Sequence, residues 1–233
     1  MTGYLPWRVL AEQWETHWVG YVVELPGCQF AAATLDELLQ RVPLAISSHV
    51  AWLRGHGLQG MNRPSDVFLL TERAQALPGQ CGPLFDADRR NISAGELDVA
   101  IRVGEAAIEE LLALAVRAHD WDTLPESQRP PGWPPPTVLR HVAEMDRWYA
   151  ARLMPDIGAL ALPDDPREAV RRAHQAFVSG IRAWWAIWRD RVVERDGEQW
   201  TVAKVLRRRT GHLREHAEQL LAWVRVAGQS NRS

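Results

Sequence analysis

The chain of 233 residues is 46% hydrophobic and 24% charged, the composition of an ordinary globular protein with enough length for one large domain or two small ones, each with a workable core. A formal net charge of -2 supplies no overall basic field, which sets nucleic acid and anionic membrane surfaces aside as default partners. Cys28 and Cys81 form no CxxC pattern and argue against a disulfide scaffold; the opening lacks a basic start followed by an apolar stretch, and no apolar run approaches about 18 residues, so a cytoplasmic chain without a membrane span is expected.

In chain order, WRVLAEQW and HWVGYVVELP carry aromatic and β-branched residues, and in the second Val19, Tyr21, Val23 and Leu25 alternate with Trp18, Gly20, Val22 and Glu24, which predicts two antiparallel strands. Pro26 and Gly27 interrupt the pattern, and CQFAAAT reads as a third short strand. The Thr34 hydroxyl can accept a first-turn amide and so cap a helix in which Leu35, Leu38, Leu39, Val42, Ile46, Val50 and Leu53 recur at helical spacing. Pro43 is expected to kink that helix, Gly55 and Gly57 to end it, and SDVFLLTERAQ to add one more strand. The first domain is therefore expected over residues 1–77 as a β-β-β-α-β unit.

Residues 78–91 show no period and several breakers and read as a linker; everything from 92 to 228 reads as helical, with a short tail at 229–233. Ser93 and Glu96 have capping-box spacing ahead of a stripe of Leu97, Ile101, Gly104, Ile108, Leu111 and Ala115, whose small members allow close helix approach. The proline-rich TLPESQRPPGWPPP reads as a stiff crossover. Further helices are expected at 135–154, with Val138, Val142, Met145, Tyr149 and Leu153 inward; at 166–193, with Val170, Phe177, Ile181, Trp184 and Trp188 inward; and at 201–226. The fold class follows as α+β, a small N-terminal β-β-β-α-β domain before an all-α four-helix bundle. Trp133 precedes Val138-Leu139-Arg140 as Trp200 precedes Val205-Leu206-Arg207, an echo that suggests two helices beginning alike.

RRRTGHLREHAEQL sets His212 and His216 one helical turn apart. On the wheel of that last helix, Val202, Leu206, Arg209, Leu213, His216, Leu220 and Val224 form the inward line, with His212 beside it. His141 sits among the inward residues of the second bundle helix. Three imidazoles from two helices suit one divalent ion with coordination positions left for water or substrate; the alternative for an HxxxH pair is a solvated or packed polar face. His174 is the rival ligand, or else a hydrogen-bonded core histidine. His119 is expected at a helix C-terminus, and His17, His49 and His56 share no spacing. Trp184, Trp185 and Trp188 read as packing residues and Cys28 as a small buried one.

GWPPPTVLRHVAEMDRWYAARL resembles the second helix of DinB-like proteins, and WTVAKVLRRRTGHLREHAEQLL their fourth helix with its HxxxH pair, over residues 92–228. The resemblance implies a four-helix bundle that binds zinc, nickel or another divalent ion through His141, His212 and His216, often as a homodimer. Relatives include thiol-dependent transferases and isomerases in which the metal activates a low-molecular-weight thiol. WVGYVVELPGCQFAAATLDELLQRVPLAISSHVAWLRGHG is similar to the HicB-like fold of antitoxin proteins over residues 4–75. Such antitoxins bind a small ribonuclease toxin and carry a separate DNA-binding segment, whose place the DinB-like bundle takes here.

Two catalytic candidates accompany the three ligands. Glu144, one turn after His141, is placed to accept from a ligand or shuttle a proton, or is a solvated helix glutamate. Arg209 stands where the DinB-like pattern has an aliphatic; it either clamps a substrate carboxylate, or snorkels past the bundle end, or pairs with Asp146 or another acid. Two functions follow: a metal-dependent small-thiol transferase or hydrolase with a recognising front domain, and a noncatalytic homodimeric scaffold whose front domain docks a protein partner.

Overall fold

The computed structural model describes residues 4–59, 63–118, 121–124 and 126–230, the side chains of 227–230 excepted; His119 and the end of the tail lie outside them. The elements run β1 (Trp7–Gln13), β2 (Trp18–Val22), β3 (Gln29–Ala32), α1 (Leu35–Gly55), β4 (Phe68–Gln75), α2 (Asp86–Arg89), α3 (Ala94–Arg117), α4 (Pro135–Leu153), α5 (Pro166–Trp188), β5 (Val193–Arg195), β6 (Glu198–Trp200) and α6 (Val202–Ser230). The fold is mixed α+β. By packing, Met1–Val103 with Asp190–Gly211 forms one compact unit and Gly104–Arg189 with His212–Ser233 another. The division is not consecutive along the chain, because α3 and α6 each contribute to both.

In the first unit the sheet order is β3-β2-β1-β4, antiparallel throughout except for β1 beside β4, which are parallel. Parallel neighbours need a long crossover, and α1 supplies it. β1 is buried on both faces: Trp7 and Val9 pack with Val42, Ile46 and Leu53 of α1, whereas Leu10 packs with Tyr21 and Phe85. β4, at the sheet edge, alternates half-buried and exposed residues. The Thr34 cap forms, its hydroxyl accepting from the Glu37 amide at 3.2 Å, and α1 continues through Pro43 as one helix. The Ser93–Glu96 box also closes, with the Ser93 amide donating to Glu96 Oε2 at 2.8 Å and the Glu96 amide to Ser93 Oγ at 3.2 Å. Such caps contribute about 1 kcal/mol each by satisfying amides that the first helical turn leaves over.

Behind Leu10 lies a buried ion network. Glu12, fully inaccessible, accepts from Trp14 Nε1 at 2.8 Å, from the Tyr21 hydroxyl at 2.9 Å and from Arg208 at 2.6 Å. Arg207 donates to Asp88 through Nε at 3.0 Å and through a second nitrogen at 2.7 Å, and its guanidinium lies over the rings of Tyr21 and Phe85. Burial pushes the Tyr21 hydroxyl well above its ordinary pKa, with the positive charge of Arg208 opposing. Lys204, the lone lysine of the sequence, is also buried, and it uses its ammonium on Glu198 Oε1 at 2.6 Å and on the carbonyls of Gly82 and Gln199. Burial lowers its pKa while Glu198 opposes that shift.

The helix expected at 166–193 is shorter than that, and the chain after 92 is not wholly helical. α5 stops at Trp188, and β5 and β6 form an antiparallel hairpin paired Arg195↔Glu198. The two residues between them, Asp196 and Gly197, both have positive φ, 53° and 74°. That is the two-residue turn that an Asp-Gly pair favours, since its twist matches that of the flanking strands. Trp188, expected inward, is consequently in the last turn of α5 and 42% exposed.

The second unit holds the latter part of α3, then α4, α5 and the latter part of α6. Ile108, Leu111 and Ala115 of α3, Val138, Val142, Tyr149 and Leu153 of α4, and Val170, Phe177 and Ile181 of α5 are buried as their spacing predicts. Asp165 caps α5 by accepting from the Glu168 amide at 2.8 Å, with Pro166 in the first turn where its missing N–H costs nothing. Arg214 of α6 reaches Glu110 of α3 at 2.5 Å. No described helix is long and apolar enough to cross a membrane.

Candidate metal centre

His141 stands in the second turn of α4, and His212 and His216 stand one turn apart on α6. Their side chains converge. His141 Nε2 lies 3.0 Å from His212 Nε2, which lies 3.0 Å from His216 Nε2, and a ligand nitrogen from each falls within 4.8 Å of the others. Among the described residues this is the single group of three or more histidine, cysteine or acidic side chains so arranged. His216 is buried, His141 and His212 half-buried.

The tautomer of one ring is legible. Gln219, one turn beyond His216, is 2.8 Å from His216 Nδ1, and its Oε1 can only accept, so Nδ1 carries the proton and Nε2 presents a lone pair inward. A ring nitrogen has one in-plane site, so a proton on His212 Nε2 can point at one of its two neighbours and makes no well-aligned hydrogen bond to the other. A single cation among the three nitrogens satisfies all of them. A tetrahedral ion with bonds of about 2.0–2.1 Å holds its ligands roughly 3.3 Å apart, so the two 3.0 Å contacts need open by only a few tenths of an ångström.

The surroundings favour the neutral form of His141. Burial lowers the His141 pKa from its usual value of 6.5, the neighbouring His216 lowers it further, and Glu144 opposes them. The Trp133 ring stacks nearly parallel to His216, 10° between planes, and meets His141 edge-on at 4.8 Å between centroids. Trp133 is held there by its carbonyl, which accepts from Trp223 Nε1 at 3.0 Å. Tyr149 meets His212 edge-on at 5.9 Å. Gly132, with φ of 100°, completes the support: a Cβ there would lie 2.6 Å from Gln219 Nε2 and displace the amide that orients His216.

The structure thus brings together the three expected ligands. Glu144 is exposed and acts on His141 through its charge. Arg209 is fully buried but belongs to the first compact unit, whereas the imidazoles belong to the second. His174 is half-buried on α5 and is not part of the cluster. Sequence reasoning missed Gln219 and the ring contacts of Trp133; the signal for Gln219 was its position three residues after His216 on the same helix face.

If Gln219 fixes the His216 ring, Gln219→Ala should weaken divalent-metal affinity by roughly 10- to 100-fold without altering stoichiometry. Competitive titration against a chromophoric chelator reads this directly, and an unchanged affinity would remove Gln219 from the site.

Compared with known proteins, the chain matches no family model, no curated protein and no solved structure.

Proposed function

We propose that this chain is a divalent-metal protein, with zinc or nickel held by His141, His212 and His216, and that residues 92–228 form a DinB-like four-helix bundle behind a HicB-like recognition domain at residues 4–75. The observation that carries the metal is that one ring nitrogen from each of three histidines, on two helices, lies within 4.8 Å of the others. When bound, an ion with three protein ligands and open positions supplies Lewis acidity that makes a small thiol or a water more acidic. The resemblance of both helices to thiol-dependent relatives favours a small-thiol transferase acting as a homodimer. The chain's own residues would serve that chemistry in definite ways. Gln219 holds His216 in the ligating tautomer. The Trp133 ring limits water on one side of the cluster, and Glu144, exposed beside His141, is placed to receive a proton and pass it to solvent.

Protein purified without added metal should carry up to one divalent ion per chain by elemental analysis and take up the remainder to one equivalent. The ion should be released on acidification, because each imidazole must be neutral to ligate. With the His141 pKa below its usual 6.5, affinity holds at neutral pH and falls as pH drops through the imidazole range. Transfer assays with several small thiols, with and without the ion, then test the enzymatic half. A chain that takes up no metal sinks the proposal, and a loaded chain inert toward every thiol leaves the partner-docking scaffold as the better reading.

A further inference from the structure

The first unit contains a cavity of about 460 Å³ that the metal site does not use. Val22 and Leu25 line it from the sheet side, Ile92 and Ala100 from the α3 side, and Ala203 and Leu206 from α6. Protein interiors leave few voids larger than a water molecule, and pockets of roughly 300–1,000 Å³ are the size that takes small-molecule ligands.

The charged side chains at the cavity are what select its occupant. They come in closed pairs: Arg8 with Glu24 at 2.7 Å, Arg90 with Glu96 at 2.6 Å, and Arg207 with Asp88 at 2.7 Å. The first two pairs keep partly exposed members, with side-chain exposures of 41% and 12%, then 34% and 45%, which puts them toward the mouth. The third, at 11% and 4%, lies at the buried end beside Tyr21, whose hydroxyl is already engaged by Glu12 and Arg208. A charged ligand would give up its hydration and meet no uncompensated opposite charge, so its desolvation would go unrepaid unless it broke one of these pairs. An uncharged ligand leaves all three intact and gains the burial of its apolar surface.

We propose that this cavity is a binding site for an uncharged, largely apolar small molecule, aromatic or aliphatic. The test uses two fluorescent probes with a common ring system, neutral N-phenyl-1-naphthylamine and the anionic 8-anilinonaphthalene-1-sulfonate. The neutral probe should bind saturably, one per chain, and the sulfonate at least about tenfold more weakly, because it carries a charge with no partner. Ala203→Phe and Ala100→Leu, which fill the cavity from different helices, should each lower neutral-probe affinity at least about tenfold at an unchanged unfolding temperature. Stripping metal with a chelator should leave probe binding as it was, which separates this site from the triad. Equal affinity for both probes, binding that does not saturate, or full affinity in both folded variants would overturn the proposal. Should both variants unfold, the comparison of the two probes on the unaltered chain decides it.

Discussion

Replacing His212 with alanine should all but abolish metal binding, since it removes one of the three ligands. His212 Nε2 is the nitrogen that lies 3.0 Å from both of the others, so its loss leaves only His141 and His216, one on each helix, to hold the ion. Removing a partner that merely orients a ligand costs roughly 10- to 100-fold in affinity, so loss of a ligand itself should exceed about 100-fold. Calorimetric titration at neutral pH measures the affinity, and elemental analysis of the purified variant measures retention. His174→Ala serves as the control, since His174 stands outside the cluster and its loss should leave the affinity as it was. Tight binding of one equivalent by the His212→Ala protein would refute the triad.

The largest stability effect is expected from Glu12→Ala. The carboxylate is wholly inaccessible and receives Trp14, Tyr21 and Arg208; its removal strands a guanidinium in a site with little access to water. Breaking a buried pair from one side costs about 3–5 kcal/mol, mostly as the desolvation of the charge left behind. Guanidinium denaturation of the first unit's transition should shift by that amount. The paired change Glu12→Leu with Arg208→Leu should cost less than Glu12→Ala alone, because no charge is then stranded. A double variant as unstable as the single one would mean that lost packing, and not the orphaned charge, governs this region.

Much of the architecture was legible one residue at a time. Thr34 and the Ser93–Glu96 box announced helix starts that formed at those places, because a cap depends on groups three residues apart. Most of the α-helical stripe positions were buried as spaced; Met145 and Trp184 are half-buried, Trp188 is exposed, and Trp223 takes the place of Val224 on the core side of α6. The hairpin at Val193–Trp200 was missed although Asp196-Gly197 is the turn signal, because the apolar period of α5 was carried too far into it. The ion network of Glu12, Tyr21, Asp88, Arg207 and Arg208 was beyond any local signal, since its members are separated by up to 196 residues.

What the sequence by itself determined is most of the local elements, the hairpin after α5 apart, and the chemical identity of three imidazoles, two of them fixed on one helix face by a four-residue step. Only the tertiary structure decided that His141, 71 residues before His212, arrives within 3.0 Å of it, and that Arg209, on the same inward line as His216, is buried in the other compact unit. The physical reason is range. Helical periodicity and capping are settled by backbone geometry within a few residues, whereas the meeting of two helices depends on which buried faces pack together, a sum over many contacts that no short stretch of chain encodes.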